Sequence, residues 1–214
     1  MSQPTYKSIK KKYYDIISVA IRTKQVVHLV SQHDKIAMFD KIIKNNADKQ
    51  IVVITKSKRK ADELSSHLAA QNVNAKAIHG NHRTSEQEAA AEAFNKSEID
   101  VLISTDTILQ TLNLTNVAMI LSYDIPSQLE NYFVRVGHLK EVGASIAFVS
   151  PEDQGQLSSI ELLMKQEIPQ EEVEDFIATR PPRLDKSARS DKEKKKKPRH
   201  RKEKVKRVGK QKEA

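Results

Sequence analysis

The feature that most constrains this chain is the recurrence of short apolar runs separated by amphipathic stretches. Ile51–Thr55, Val101–Ser104 and Ala144–Val149 are runs of this kind, and their apolar residues are consecutive rather than alternating. Consecutive apolar residues are typical of parallel strands that are covered by helices on both faces of a sheet. The pattern therefore favours an α/β fold over an antiparallel one.

The order of the segments predicts a three-layer, doubly wound α/β fold with a mostly parallel sheet and right-handed crossovers. The predicted strands are Val26–Val30, Ile51–Thr55, Lys76–His79, Val101–Ser104, Val117–Ser122 and Ala144–Val149. The predicted helices are Lys35–Asn45, Arg59–Ala70, Ser85–Phe94, Leu129–Val136 and Glu152–Met164, with a short helix around Tyr13–Ile21.

Three segments are expected along the chain: an N-terminal extension at residues 1–24, a folded domain at 25–178 and a tail at 179–214. The paired prolines at Pro181 and Pro182 resist helix and sheet alike, which supports a domain end at this point. No internal repeat interrupts the folded part.

The excess of positive over negative charge is confined to the tail. Arg183–Ala214 contains 16 Lys and Arg against 5 Asp and Glu, a net charge of +11, whereas residues 1–182 carry −2. With almost no large apolar side chain, the tail is expected to be disordered, because it cannot offset the entropy cost of ordering. Such a run attracts polyanions by releasing counterions from phosphates. A solubilising tail and, for a eukaryotic source, a sorting signal remain open.

The composition excludes several classes of protein. The chain has no cysteine, which removes disulfide frameworks and cysteine-based zinc sites. No stretch approaches the roughly 20 apolar residues needed to span a bilayer, and the N-terminus lacks the features of a signal peptide. A cytoplasmic protein with no membrane partner is expected.

Ligands of doubly wound sheets bind at the carboxyl ends of the strands. Three loops there contain polar residues: His79–Ser85, Thr105–Leu114 and Arg135–Gly143. Ordinary structural roles remain open for all three, such as helix capping by Thr84 or Ser85. His79 and His82 lack a third ligand at fixed spacing, so no metal site is expected.

Taken in order, four segments resemble the C-terminal RecA-like domain of DEAD-box RNA helicases, closest to the RhlE-type group. The similarity covers about Val26 to Pro169 and includes a His-Gly pair, a strand ending in Thr-Asp and a Tyr-Asp-x-Pro turn. The four segments are Gln50–Leu68, Ala77–Asp106, Leu112–His138 and Ala147–Pro169. The resemblance implies a RecA-like helicase C-terminal domain.

The nucleotide-site motifs of that family are degenerate here. Where the family reads Arg-Gly-Leu-Asp, this chain has Gln110-Thr111-Leu112-Asn113. Of the family's next motif, His-Arg-x-Gly-Arg-x-Gly-Arg, Arg135 is kept, but His138 and Glu141 replace the two arginines that the resemblance assigns to the γ-phosphate. Loss of such an arginine finger costs roughly 10³–10⁵ in rate.

The family's other half has no counterpart in this sequence. The five glycines never form a G-x-x-x-x-G-K-[ST] loop, and no Asp-Glu-Ala-Asp run occurs. No catalytic residue, metal or cofactor is therefore predicted, and Mg-ATP is expected only if a partner supplies the N-terminal half.

Contact with RNA is the property that the resemblance still implies, through the sugar-phosphate backbone rather than base edges. The residues suited to it in the folded part are Thr55, Lys56, Gly80, Arg83 and Thr105. Those suited to it in the tail are Lys194, Lys195, Lys196, Lys197, Arg199 and Arg201.

The leading hypothesis is a non-catalytic RNA-binding protein in RNA metabolism or ribosome assembly, with single-stranded or ribosomal RNA as its partner. One alternative is half of a split ATP-dependent helicase, completed by a separate N-terminal RecA-like chain. The other is a protein-interaction module that regulates another helicase or contacts a ribosomal protein.

Overall fold

The computed structural model describes residues 17–139 and 143–179, which fold around one parallel sheet. The six strands lie in the order β1-β6-β5-β2-β4-β3, and all five neighbouring pairs are parallel. The strands are β1 Lys24–Leu29, β2 Ile51–Thr55, β3 Ala75–Ile78, β4 Val101–Thr105, β5 Met119–Ser122 and β6 Ala144–Val149. The predicted doubly wound α/β fold is confirmed.

Helices cover both faces of this sheet. They are α1 at residues 17–22, α2 Lys35–Asn45, α3 Lys58–Ala70, α4 Thr84–Asn95, α5 Asp106–Leu109, α6 Leu129–Gly137 and α7 Gln154–Met164, with a 3₁₀ turn at Pro151–Asp153. One core lies between the sheet and α2 and α3, with Phe39 and Leu64 fully buried in it. On the opposite face, Phe94 of α4 and Phe133 of α6 pack against the other side chains of the same strands.

Most differences from the predicted bounds are small and fall at element ends, where fraying and capping decide the last residue. The predicted helix from Glu152 is the clearest exception, because a 3₁₀ turn precedes α7 there. Residues 17–22 are helical, and Ile17 and Ala20 are buried against α6 and α7. The end of the predicted N-terminal extension therefore contributes to the core.

Residues 168–179, called here the C-terminal strap, run along the outer edge of β1. The Val27 amide donates to the Pro169 carbonyl at 2.9 Å, and the Glu171 amide donates to the Val27 carbonyl at 3.0 Å. Thr179 then donates to Asp34 through its hydroxyl at 2.5 Å and through its amide at 3.0 Å. The strap thus occupies backbone groups that an edge strand would otherwise expose to another chain.

The chain separates into two units after Arg180, and the second unit, Pro181–Ala214, lies outside the described residues. The tail lysines and arginines named above belong to that unit. In the part of the chain that the structure describes, no helix has the length and apolar character needed to cross a membrane.

Candidate nucleic-acid interface

The loops that follow β2, β3 and β4 meet at the carboxyl edge of the sheet, because parallel strands all end on the same side. They enclose a shallow cavity of about 360 Å³, called here the carboxyl-edge groove. Its lining residues are Lys56, Lys58, Gly80, Thr105, Thr107 and Ile108. The groove presents two ammonium groups, two hydroxyl groups and an exposed stretch of backbone, and these are groups that bind phosphates and sugars.

Of the five residues predicted for RNA contact in the folded part, three line this groove: Lys56, Gly80 and Thr105. Thr55 does not present its side chain at the surface, since it is fully buried and its hydroxyl donates to the Ser57 carbonyl at 3.0 Å. Arg83 is exposed just before α4 and does not line the groove.

Helix α3 begins at the groove. The Ser57 hydroxyl accepts a hydrogen bond from the Lys60 amide at 3.1 Å, which caps the first turn. The next residue, Lys58, places its ammonium 2.8 Å from the side-chain oxygen of Asn81. It makes no ion pair with any carboxylate of residues 17–139 and 143–179. Its charge is therefore available to an anion.

Gly80 lies directly beside Lys58. A methyl group added at Gly80 would approach the Lys58 ammonium to 3.4 Å, so a larger side chain would narrow the groove. The preceding His79 is buried, and its Nε2 lies 2.9 Å from an Asp62 carboxylate oxygen on α3. This contact holds the β3–α4 loop against α3 and fixes one wall of the groove.

Lys58, Thr107 and Ile108 also line the groove but are not among the five residues predicted for RNA contact, although Lys58 could be expected to add charge at this edge. Lys58 is the first residue of α3, where a lysine is equally typical of a solvated helix surface. Thr107 lies in the short helix α5, which begins directly after β4. The sequence signal that could have identified Thr107 is its position two residues after Thr105, at the end of β4.

Arg135 is fully buried and bound to a carboxylate. Its Nε and Nη2 donate to the two oxygens of Asp106 at 2.6 and 2.8 Å, and its Nη1 donates to the Asp124 carbonyl at 2.8 Å. Such a two-bond pairing is a strong form of ion pair. The guanidinium therefore joins α6 to the start of α5 and to the loop after β5.

The other degenerate positions are dispersed. Gln110 is exposed and donates to the Asn131 side chain at 3.0 Å, and His138 follows α6 half-buried. Burial lowers the pKa of His138 below its ordinary value, which favours the neutral imidazole. The Asn113 carbonyl accepts from Asn95 at the end of α4, toward the amino edge of the sheet. Glu141 lies outside the described residues.

A second buried network lies beneath the loops after β5 and β6. Lys35 is almost fully buried, and its ammonium is 3.1 Å from both the Tyr123 carbonyl and an Asp124 oxygen. The same ammonium is 3.8 Å from Asp153, whose other carboxylate oxygen is 3.2 Å from Lys56. Through Asp153, this network connects Lys56 in the groove wall to the buried Lys35.

Within the described residues, no group of three or more His, Asp or Glu side chains is arranged to hold a metal ion. His79 and His82 lie close together, with ring centroids 4.3 Å apart, and the Nδ1 of His82 lies 3.2 Å from the backbone amide of His79. Their observed partners are Asp62 and the loop backbone.

Comparison with known proteins places this architecture. Residues 34–139 match the family described as the helicase conserved C-terminal domain. The chain is 29% identical over 150 residues to the DEAD-box ATP-dependent RNA helicase RhpA of Helicobacter pylori strain B128, covering 69% of this chain and 30% of that protein. It is 33% identical over 117 residues to the ATP-dependent RNA helicase CshA of Limosilactobacillus reuteri, covering 53% and 24% of the two chains.

Solved structures give the same result. A DEAD box protein from the hyperthermophile Methanococcus jannaschii is similar with a TM-score of 0.67 and 25% identity, over 72% of this chain and 43% of that chain. The Escherichia coli DEAD-box protein SrmB, bound to regulator of ribonuclease activity A, has a TM-score of 0.65 at 16% identity, over 74% and 98% of the two chains. The second likeness shows the fold alone. The chain spans less than a third of the length of the curated relatives RhpA and CshA.

Proposed function

Because this chain carries the conserved C-terminal domain of the DEAD-box RNA helicases, we propose that it binds RNA and does not hydrolyse ATP on its own. One observation carries the proposal: the carboxyl-edge groove places the ammonium of Lys58, which pairs with none of the described carboxylates, beside the exposed backbone of Gly80 and the hydroxyls of Thr105 and Thr107. These groups are suited to hydrogen bonds and ion pairs with a sugar-phosphate backbone, contacts that do not depend on the base sequence.

Binding through this groove is expected to be weak and tolerant of sequence. The groove offers few cations, and the chain has no Trp and only 5% aromatic residues, so stacking of bases contributes little. The +11 segment Arg183–Ala214 adds phosphate contacts that are sensitive to salt. Single-stranded or ribosomal RNA is the proposed ligand, in RNA metabolism or ribosome assembly.

The arrangement of Arg135 supports the second part of the proposal. Phosphoryl transfer needs a cation against the charge that develops on the phosphate. Arg135 is buried and bound to Asp106 by two hydrogen bonds, so its charge is already neutralised. His138 has a lowered pKa and is a poor cation at neutral pH. The sequence also contains no Walker loop to hold Mg-ATP.

The direct test is titration of a fluorescent single-stranded RNA with the full chain and with residues 1–182, across a salt series. In both forms, Lys58→Gln is compared with Lys44→Gln, which removes an exposed charge in the last turn of α2, outside the groove. We expect Lys58→Gln alone to weaken binding, and to reduce the slope of log K against log salt by about 0.7, the value for one single-strand phosphate.

Equal effects of the two substitutions would remove the groove from the RNA interface. Loss of all binding in residues 1–182 would assign RNA contact to the segment after residue 182 alone. Measurable ATP hydrolysis by the purified chain would contradict the non-catalytic part of the proposal.

A second candidate function is half of an ATP-dependent helicase completed by a separate N-terminal RecA-like chain, because the family match is to the helicase C-terminal domain. In that case ATP and Mg²⁺ would bind between the two chains. RNA-stimulated ATPase activity that requires both a co-purified RecA-like partner and this chain would support it, and its absence from every such mixture would count against it.

A further inference from the structure

Lys56 reaches the carboxyl-edge groove with its charge already engaged. Its side chain is 43% exposed, yet its ammonium lies 3.2 Å from an Asp153 carboxylate oxygen. Its backbone amide donates at 3.1 Å to Asp124, which fixes the start of the side chain. A phosphate entering the groove therefore meets an ion pair at Lys56.

Asp153 is the rigid member of this pair. Its side chain is only 10% exposed, and the oxygen that does not face Lys56 accepts from the Ser150 hydroxyl at 2.7 Å. Lys35, 3.8 Å away, holds the same oxygen from below. Burial raises the pKa of Asp153, but the hydrogen bonds from Ser150 and Lys56 lower it by more than burial raises it. The net pKa is therefore below the ordinary value for an aspartate. The carboxylate is therefore charged at neutral pH.

Lys58, on the same groove, provides the contrast. Its partner is the neutral amide of Asn81, and none of the described carboxylates pairs with it. Two lysines separated by one residue thus differ in the charge they offer: Lys58 offers a full positive charge, and Lys56 offers one that Asp153 cancels. This difference is built into the fold, because Asp153 comes from the turn after β6 and Lys56 from the loop after β2.

We propose that Asp153 competes with RNA phosphate for Lys56 and so limits the affinity of the carboxyl-edge groove. Lys58 makes the phosphate contact in the wild-type protein, and Lys56 contributes only when the carboxylate is displaced. The inference rests on the proposed RNA-binding function and adds an affinity-determining residue to it. Asp153 lies behind Lys56 and does not line the groove itself.

The proposal predicts a gain of binding from the substitution Asp153→Asn. Asparagine keeps an oxygen that can accept from Ser150, and it removes the charge that holds Lys56. Partly exposed ion pairs are worth up to about 1 kcal/mol, so freeing Lys56 is expected to tighten RNA binding by roughly 2- to 5-fold. One further phosphate contact also steepens the salt slope by about 0.7.

The experiment titrates a short fluorescent oligouridylate with the full chain at several salt concentrations. Asp175→Asn is the matched control, since it makes the same change of net charge at an exposed carboxylate of the strap. Asp153→Asn should exceed this control in both affinity and salt slope. Adding Lys56→Gln to Asp153→Asn should cancel the gain, because no lysine is then left to free.

A second comparison does not depend on the folding of the Asp153 variant. In the wild-type background, Lys56→Gln should change affinity less than 2-fold by the same ion-pair estimate, whereas Lys58→Gln should weaken it clearly more. Equal binding by Asp153→Asn and Asp175→Asn, or an equal loss from Lys56→Gln and Lys58→Gln, would overturn the inference. If Lys58→Gln is no worse than Lys44→Gln, the proposed groove itself fails, which is a separate outcome.

Discussion

Replacement of Arg135 by methionine tests whether this arginine stabilises the fold or is free to bind a phosphate. The side chain is 1% exposed and donates three hydrogen bonds, two to Asp106 and one to the Asp124 carbonyl. Methionine fills much of the same volume but leaves a carboxylate and a carbonyl without their donor. Breaking a buried pair in this way costs about 3–5 kcal/mol.

The lower end of that range is expected, because the Asp106 side chain is 18% exposed and water can partly hydrate it. For a domain of this size, about 3 kcal/mol lowers Tm by roughly 6–12 °C. The assay is urea unfolding of the wild type, Arg135→Met, Asp106→Leu and the double variant. Replacing both partners with apolar residues removes the unpaired charge, so the double variant should be more stable than either single variant.

The coupling energy between the two substitutions should therefore be about 2 kcal/mol or more. A loss below about 1 kcal/mol for Arg135→Met would refute the reasoning, since a buried charge pair cannot be broken so cheaply. Strictly additive losses would also refute it. Either result would mean that Arg135 is not committed to Asp106 in solution and is free to serve a ligand.

Two further predictions concern protonation and the C-terminal strap. Burial lowers the pKa of His138 below 6.5, so its contribution to stability is complete above pH 6.5 and is lost as the pH falls toward the lowered value. When urea unfolding is compared at pH 7.5 and pH 5.5, the free energy of unfolding should fall less for His138→Gln than for the wild type. Equal falls in the two proteins would contradict this prediction. Thr179→Val removes the hydrogen bond that the Thr179 hydroxyl donates to Asp34. Hydrogen exchange at the Glu171 amide should then accelerate, while the amides of β2 stay protected. Unchanged exchange at Glu171 would show that Thr179 does not hold the strap.

Much of the fold could be predicted because the sequence pattern is local. Ile51–Thr55 and Ala144–Val149 were predicted with the observed bounds, since consecutive apolar residues identify strands covered on both faces. The C-terminal strap could not be predicted in the same way. It pairs with β1 through a single bridge at Gln170, and its sequence around Pro169 carries no strand signal.

The candidate site was predictable only where one strand end carries the information. Gly80 lies two residues after β3 and Thr105 is the last residue of β4, and the ends of neighbouring parallel strands meet at one edge of the sheet. Thr55 shows the limit of this reasoning, because the last residue of a strand can turn inward and satisfy its hydroxyl on the backbone. The pairing of Lys56 with Asp153 joins loops from β2 and β6, which β5 separates in the sheet, and no local pattern encodes it.

The position of β1 has a consequence for how the chain is made. Its strand partner is β6, with Lys24 opposite Ala144, and its other edge is bound by the strap. Both β6 and the strap are synthesised after the other strands of the sheet. Val26 and Val27 of β1 therefore have no neighbouring strand to pair with until that part of the chain has been made. A nascent or prematurely ended chain would therefore expose this apolar strand, and stalled synthesis is the condition in which the protein is most prone to aggregate or to need a chaperone.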